Sequence, residues 1–188
     1  MEIINNQHSY INIFFRGFPI YIPIFFMILY TFTLYKHFLY SSIGISIIGL
    51  IVYIIKDYFI YFLNEILYEN TNIIDFPYIG RLTRPFGAIN AEFFYKGEDN
   101  YSDSLGMPSG HSMTAAFLSI YYYLYLNDTY KYTKRQKNIL YNSLLLITIY
   151  TMYSRVYIFK VHTIQQTIIG AYLGYLFGIY FYKLSKIV

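Results

Sequence analysis

Five apolar stretches, each close to the ~20 residues that cross a bilayer as a helix, dominate this chain and largely decide its solvent. They cover residues 18–35, 38–55, 111–126, 139–158 and 163–182. In hydrocarbon every backbone N–H and C=O must find a partner within the protein, which leaves helices as the spanning form for such runs. The expected fold is therefore all-α, a multi-pass transmembrane bundle of about five spanning helices, with residues 1–188 as one membrane-embedded domain. Charged residues make up only 13% of the sequence, too few to coat a soluble domain. The absence of Cys excludes disulfides, thiolate catalysis and cysteine-bound zinc. A net charge of +4 could suggest nucleic acid, but the basic residues are scattered between apolar runs and read as membrane flanks. Glu2 and three Asn precede the first run and no small-residue cleavage site follows it, so no signal peptide is expected.

The long polar segment spans residues 64–108, between the second and third runs. Residues 58–68 just before it either extend the second helix or lie along the interface. Lys56 and Asp57 at that junction read as an interfacial charge pair. Gly170, Gly174 and Gly178 recur every fourth residue in the last run, a spacing that lets helices approach closely. His8 and His37 stand alone and carry no assignment, and the acidic stretch 98–103 lacks the Gly and terminal Glu of a calcium loop.

Three places interrupt the apolar pattern with groups that are costly near a membrane: Arg81 with Arg84 and Pro85, the sequence Pro108-Ser109-Gly110-His111, and Ser154-Arg155 followed by His162. Two crossings separate the segment before the third span from the one between the fourth and fifth, so all three places share a membrane face. Together they read as an anion site. Guanidinium groups grip phosphate oxygens bidentately and stay charged at any pH. Ser109 and the backbone N–H groups of Gly110 and His111 sit at a helix N-terminus, where orphan donors favour an anion. Two histidines supply a nucleophile and a proton donor, the two roles phosphoryl transfer requires. No acidic cluster beside them has the look of a magnesium site, so no metal and no cofactor are expected.

With these residues in that order, the sequence resembles the type 2 phosphatidic acid phosphatase superfamily over residues 64–178. His162-Thr163 with Gln165 and Gln166, followed by Gly170, is most similar to its dolichyl diphosphatase branch. The resemblance implies that His162 attacks phosphorus to form a phosphohistidine and that His111 protonates the leaving group. It further implies that Arg84, Arg155, Ser109 and Gly110 hold the phosphate of a lipid phosphate or diphosphate. Three departures stand out. The family's Lys, seven residues before the Arg of Arg-Pro, is replaced by Pro77, with Tyr68 in the helix that would otherwise carry it. Arg81, one turn before Arg84, is the expected substitute. Six residues lie between Arg155 and His162 where five are usual, so the connecting turn must absorb one more. Gln166 stands where an Asp would orient the nucleophile; it can fix the ring but cannot stabilise an imidazolium as a carboxylate does.

The expected partners are a lipid phosphate substrate and the bilayer, with no nucleic acid; the oligomeric state is unknown. A lipid phosphotransferase, or a lipid-phosphate-binding protein without turnover, are the alternatives. Lys36, Lys131, Lys134, Arg135, Lys137, Lys183 and Lys186 lie opposite the motifs. On the motif face, setting aside Arg81, Arg84 and Arg155 as phosphate ligands leaves Arg16, Lys56, Lys96 and Lys160. The positive-inside bias then turns the site to a lumenal or extracytoplasmic face, an orientation that an endoplasmic reticulum membrane would suit.

Overall fold

The computed structural model describes residues 10–63, 65–66, 75–76, 80–88, 104–129 and 131–187. Pro77, Tyr68, Lys96 and the acidic stretch 98–103 lie outside them. The described residues are helical apart from short connections: α1 (Tyr10–Thr33), α2 (Lys36–Ile54), α3 (Gly110–Asp128), α4 (Lys134–Tyr153) and α5 (Ile164–Ile187). Two-residue strands β1 (Asp75–Phe76) and β2 (Gly80–Arg81) pair antiparallel before α3. The first helix begins earlier than residue 18, because the amphipathic stretch around Phe14 and Phe15 continues the same turn pattern. The second does not stop at residue 55. It passes through a π-helical segment, Ile55–Ile60, and stays helical to Leu63, so residues 58–63 extend the helix.

Two helical stretches, Phe14–Thr33 and Lys36–Leu63, are long and apolar enough to cross a membrane. The others have 19, 20 and 24 residues but are less apolar. Tyr121, Tyr122, Tyr123 and Tyr125 crowd α3 and four more tyrosines lie in α5, and each ring carries a polar hydroxyl. The outward surface is nonetheless apolar, with Ile24, Ile28, Leu50, Leu146, Ile149 and Ile168 exposed on different helices. A water-facing monomer does not leave this much apolar surface open.

Local signals set the ends. Leu34, in the left-handed region at φ 54°, closes α1 with its N–H on the Tyr30 carbonyl, and α2 begins two residues on. Thr133 and Gln136 form a reciprocal capping box that starts α4. The tightest pair is α3 with α5. A Cβ on Gly170 would press on the Ser109 carbonyl, one on Gly174 on that of Met113, and one on Gly178 on Ile120 and Phe117. The every-fourth glycine stripe therefore seats α5 directly on the backbone of α3 and sets the start of α5 beside the start of α3. Phe117, Tyr121, Ile45, Ile48 and Phe181 fill the centre of the bundle.

Candidate active site

The segment carrying Arg81 and Arg84 is tied down on both sides. Thr83 bridges Leu105, the Arg84 N–H donates to the Ser104 carbonyl at 2.9 Å, and the Gly106 N–H donates to the Leu82 carbonyl at 2.9 Å. On its other flank lies the Gln166 side chain, whose Nε2 donates to the Arg81 carbonyl at 2.8 Å and the Thr83 carbonyl at 2.7 Å. Gly106 is required for that approach, since a Cβ there would sit 2.5 Å from Gln166 Oε1.

This clamp decides a tautomer. Both carbonyls only accept, so the Gln166 NH2 must face them and Oε1 must face the other way. There Oε1 accepts from the Thr163 N–H at 3.2 Å and lies 3.1 Å from His162 Nδ1. An acceptor opposite Nδ1 requires a proton on Nδ1, which leaves the lone pair of the neutral ring on Nε2. Burial, then the positive charges of Arg155, Arg84 and Lys56, hold the His162 pKa well below the usual imidazole value, with the Gln166 bond pulling weakly the other way. The ring is therefore neutral near pH 7.

A cavity of about 320 Å3 opens beside it. His162, His111, Arg84, Arg155, Gly110 and Lys56 all line it. Arg84 is buried and anchored by Nε on Ser104 Oγ at 2.9 Å and Nη1 on the Val161 carbonyl at 3.2 Å. Arg155 is 2% exposed, its guanidinium 5.4 Å from the Phe159 ring centre. His111 Nε2–H donates to the Arg16 carbonyl of α1 at 2.9 Å, which fixes one nitrogen of the ring. The remaining wall is mostly apolar, with Pro19 and Pro23 from α1 and Ile45, Ile48 and Val52 from α2, and Ser46 and Thr114 as its polar members.

Two expected residues do not reach the cavity wall. Ser109 is fully buried behind it, its N–H on the Gln166 carbonyl at 3.1 Å and its hydroxyl accepting from Ser112 Oγ at 3.1 Å. Arg81 turns elsewhere: its Nε donates to Thr83 Oγ1 at 2.6 Å and its guanidinium lies 4.0 Å over the Phe86 ring. The cation that does arrive is Lys56, read from the sequence as half of an interfacial pair with Asp57. A lone Lys at the end of an apolar run is indistinguishable from a membrane flank in sequence; only the turn of the helix aims it inward.

Ser154–Ile158 forms a π-helical turn, which fits one more residue than an α-turn. Lys160 then adopts a left-handed φ of 52°, and the N–H groups of Val161 and His162 both close on the Arg155 carbonyl, at 3.0 and 3.3 Å.

Apolar helices surround a pocket of three cations and two imidazoles, a lining suited to an anion, in a protein whose apolar helices fit a membrane. The chain belongs to the PAP2 superfamily, whose model matches residues 58–187. No curated protein and no solved structure matches it. Members of the superfamily are phosphatases acting on lipid phosphates, and membership supports a phosphoric ester hydrolase in general. Arg84, His111, Arg155, His162 and Gln166 fall inside the match, whereas Lys56 precedes it by two residues.

Proposed function

We propose that this protein hydrolyses a lipid phosphate or diphosphate through a phosphohistidine on His162, without a metal ion. The carrying observation is the Gln166 clamp, which leaves the Nε2 lone pair of a neutral His162 free at a cationic cavity. His162 Nε2 forms the bond to phosphorus as the bond to the lipid oxygen breaks, and that oxygen takes the Nδ1 proton of His111, which enters the step as an imidazolium with its Nε2–H kept on the Arg16 carbonyl. Water then attacks the phosphohistidine, giving its proton to His111 and releasing phosphate, so both imidazoles return to their starting state. Lys56, Arg84 and Arg155 bind the phosphoryl oxygens and offset the charge that develops on them. Gly110, at the start of α3, brings a backbone N–H to the same wall.

The apolar wall between α1 and α2 supports a lipid leaving group. Gln166 supports a diphosphate of the dolichyl type, since that branch shares the amide. We also propose five crossings with the site on the lumenal or extracytoplasmic face, since setting aside the cations that line the cavity leaves more Lys and Arg on the opposite face. The test is labelled substrate on purified protein: an acid-labile phosphoenzyme should form in the wild type, and His162→Ala should abolish both it and phosphate release. Near-normal turnover in His162→Ala would reject the nucleophile.

A further inference from the structure

On a different face of α1, about 100° round the helix, lies a second, larger cavity of about 500 Å3. From α1 it takes Phe14, Phe18, Ile22 and Phe26, which recur every fourth residue and so share one face. These four cover a rise of about 18 Å, close to the hydrocarbon depth of one leaflet, half of ~30 Å. Leu118 of α3 and Leu144 and Ile147 of α4 form the facing walls. At the site-facing end α1 and α4 meet through Phe15 and Tyr150, whose ring centres are 4.7 Å apart. The other end is polar, lined by His37, Lys131 and Tyr132, with the His37 ring held by Tyr121 at 3.1 Å between Nδ1 and the hydroxyl. Lys36, Lys134 and Arg135 stand at the neighbouring helix starts.

That shape is a mould for an amphiphile: one apolar channel, about a leaflet deep, ending in a cation. Most of the lining is apolar, so a hydrocarbon chain makes more dispersion contacts along it than water can offset with hydrogen bonds. A neutral chain alone would satisfy the walls but leave Lys131 no role. We infer that this groove binds one anionic phospholipid of the leaflet opposite the active site, with an acyl chain along Phe18, Ile22 and Leu144 and its phosphate at Lys131. Basic side chains at this face, where Lys36, Lys134 and Arg135 also stand, attract such headgroups. The site is separate from the catalytic cavity, which α1 lines with Pro19 and Pro23 from a different face.

The test is native mass spectrometry of the full detergent-solubilised chain titrated with phosphatidylglycerol or phosphatidylcholine, with orthovanadate present to occupy the catalytic cavity. One phosphatidylglycerol should be retained with at least a tenfold preference over phosphatidylcholine. Lys131→Glu, an exposed change that leaves the fold alone, should erase the preference while hydrolysis of a short-chain substrate stays within twofold of wild type. Ile22→Trp should displace the lipid, with unchanged hydrolysis reporting an intact fold. Equal retention of the two lipids by the wild type would overturn the inference, as would full preference in Lys131→Glu. Lipid retention undiminished in a folded Ile22→Trp would also overturn it, and so would a dimer forming in place of bound lipid.

Discussion

At the scale of single residues the consequential atom is the Gln166 amide nitrogen. It saturates two backbone carbonyls, so a carboxylate in its place would face two acceptors with nothing to donate. Gln166→Glu is therefore expected to destabilise the protein by about 2–6 kcal/mol, from two carbonyls left unpaired at ~1–3 kcal/mol each, as a denaturation series in detergent would read. Whatever folds should carry a more basic His162, because a neighbouring negative charge favours the imidazolium. In the wild type His162 is depressed below the usual imidazole range, so its nucleophilic form persists as pH falls and the acid limb of kcat/KM should lie well below pH 6.5. In Gln166→Glu that limb should move upward; a limb near 6.5 in the wild type would contradict the neutral buried ring. The cations give a second comparison. Lys56→Ala should lower kcat/KM by about 1.5–3 kcal/mol, roughly 10- to 150-fold, the worth of a hydrogen bond to a charged group. Arg81→Ala should change it little, since Arg81 is engaged by Thr83 and Phe86. The reverse ranking in steady-state kinetics would restore Arg81 as the phosphate ligand.

At the scale of elements two devices build the site. Lys56 and Arg155 both ride on π-helical turns, Ile55–Ile60 and Ser154–Ile158, and both side chains line the same cavity. A wider turn re-aims the residues on it relative to an α-helix, which is how a cation at the end of an apolar run comes to face inward. The second device is the glycine stripe of α5. Gly174→Leu would drive a side chain into the Met113 carbonyl on the α3 backbone, which has no rotamer with which to yield. Overpacking of this kind costs about 1–3 kcal/mol or more, and because α5 positions Gln166 the melting temperature and kcat should fall together. Gly49→Ala, where a Cβ meets nothing within 4 Å, is the matched control and should leave the melting temperature nearly unchanged.

For the whole molecule, two buried guanidiniums, Arg84 and Arg155, sit within helices whose outer faces expose apolar side chains. The catalytic cavity draws Lys56 from α2, Arg84 from the loop before α3, His111 from α3, Arg155 from the end of α4 and His162 from the start of α5. α1, entirely outside the matched family region, adds the Arg16 carbonyl that holds His111. If the three basic side chains that line the cavity meet the phosphate charge as proposed, phosphate release should persist in excess chelator. Loss of activity on chelation with recovery on adding magnesium would point to a different chemistry.

The sequence by itself determined the helical class, the shared face of the three motifs and the pair His111 and His162, because hydrophobic run length and the cost of charge near hydrocarbon are local properties. It also announced the glycine stripe that joins α3 to α5, since a four-residue repeat of small side chains has one geometric use. Only the tertiary structure decided which cations enter the cavity. Arg81 and Lys56 look alike as isolated basic residues; a cation–π contact over Phe86 turns one away and a π-turn swings the other in. The tautomer of His162 was equally invisible, because it depends on carbonyls 83 and 85 residues away in sequence, brought to Gln166 by the packing of a loop against the start of α5.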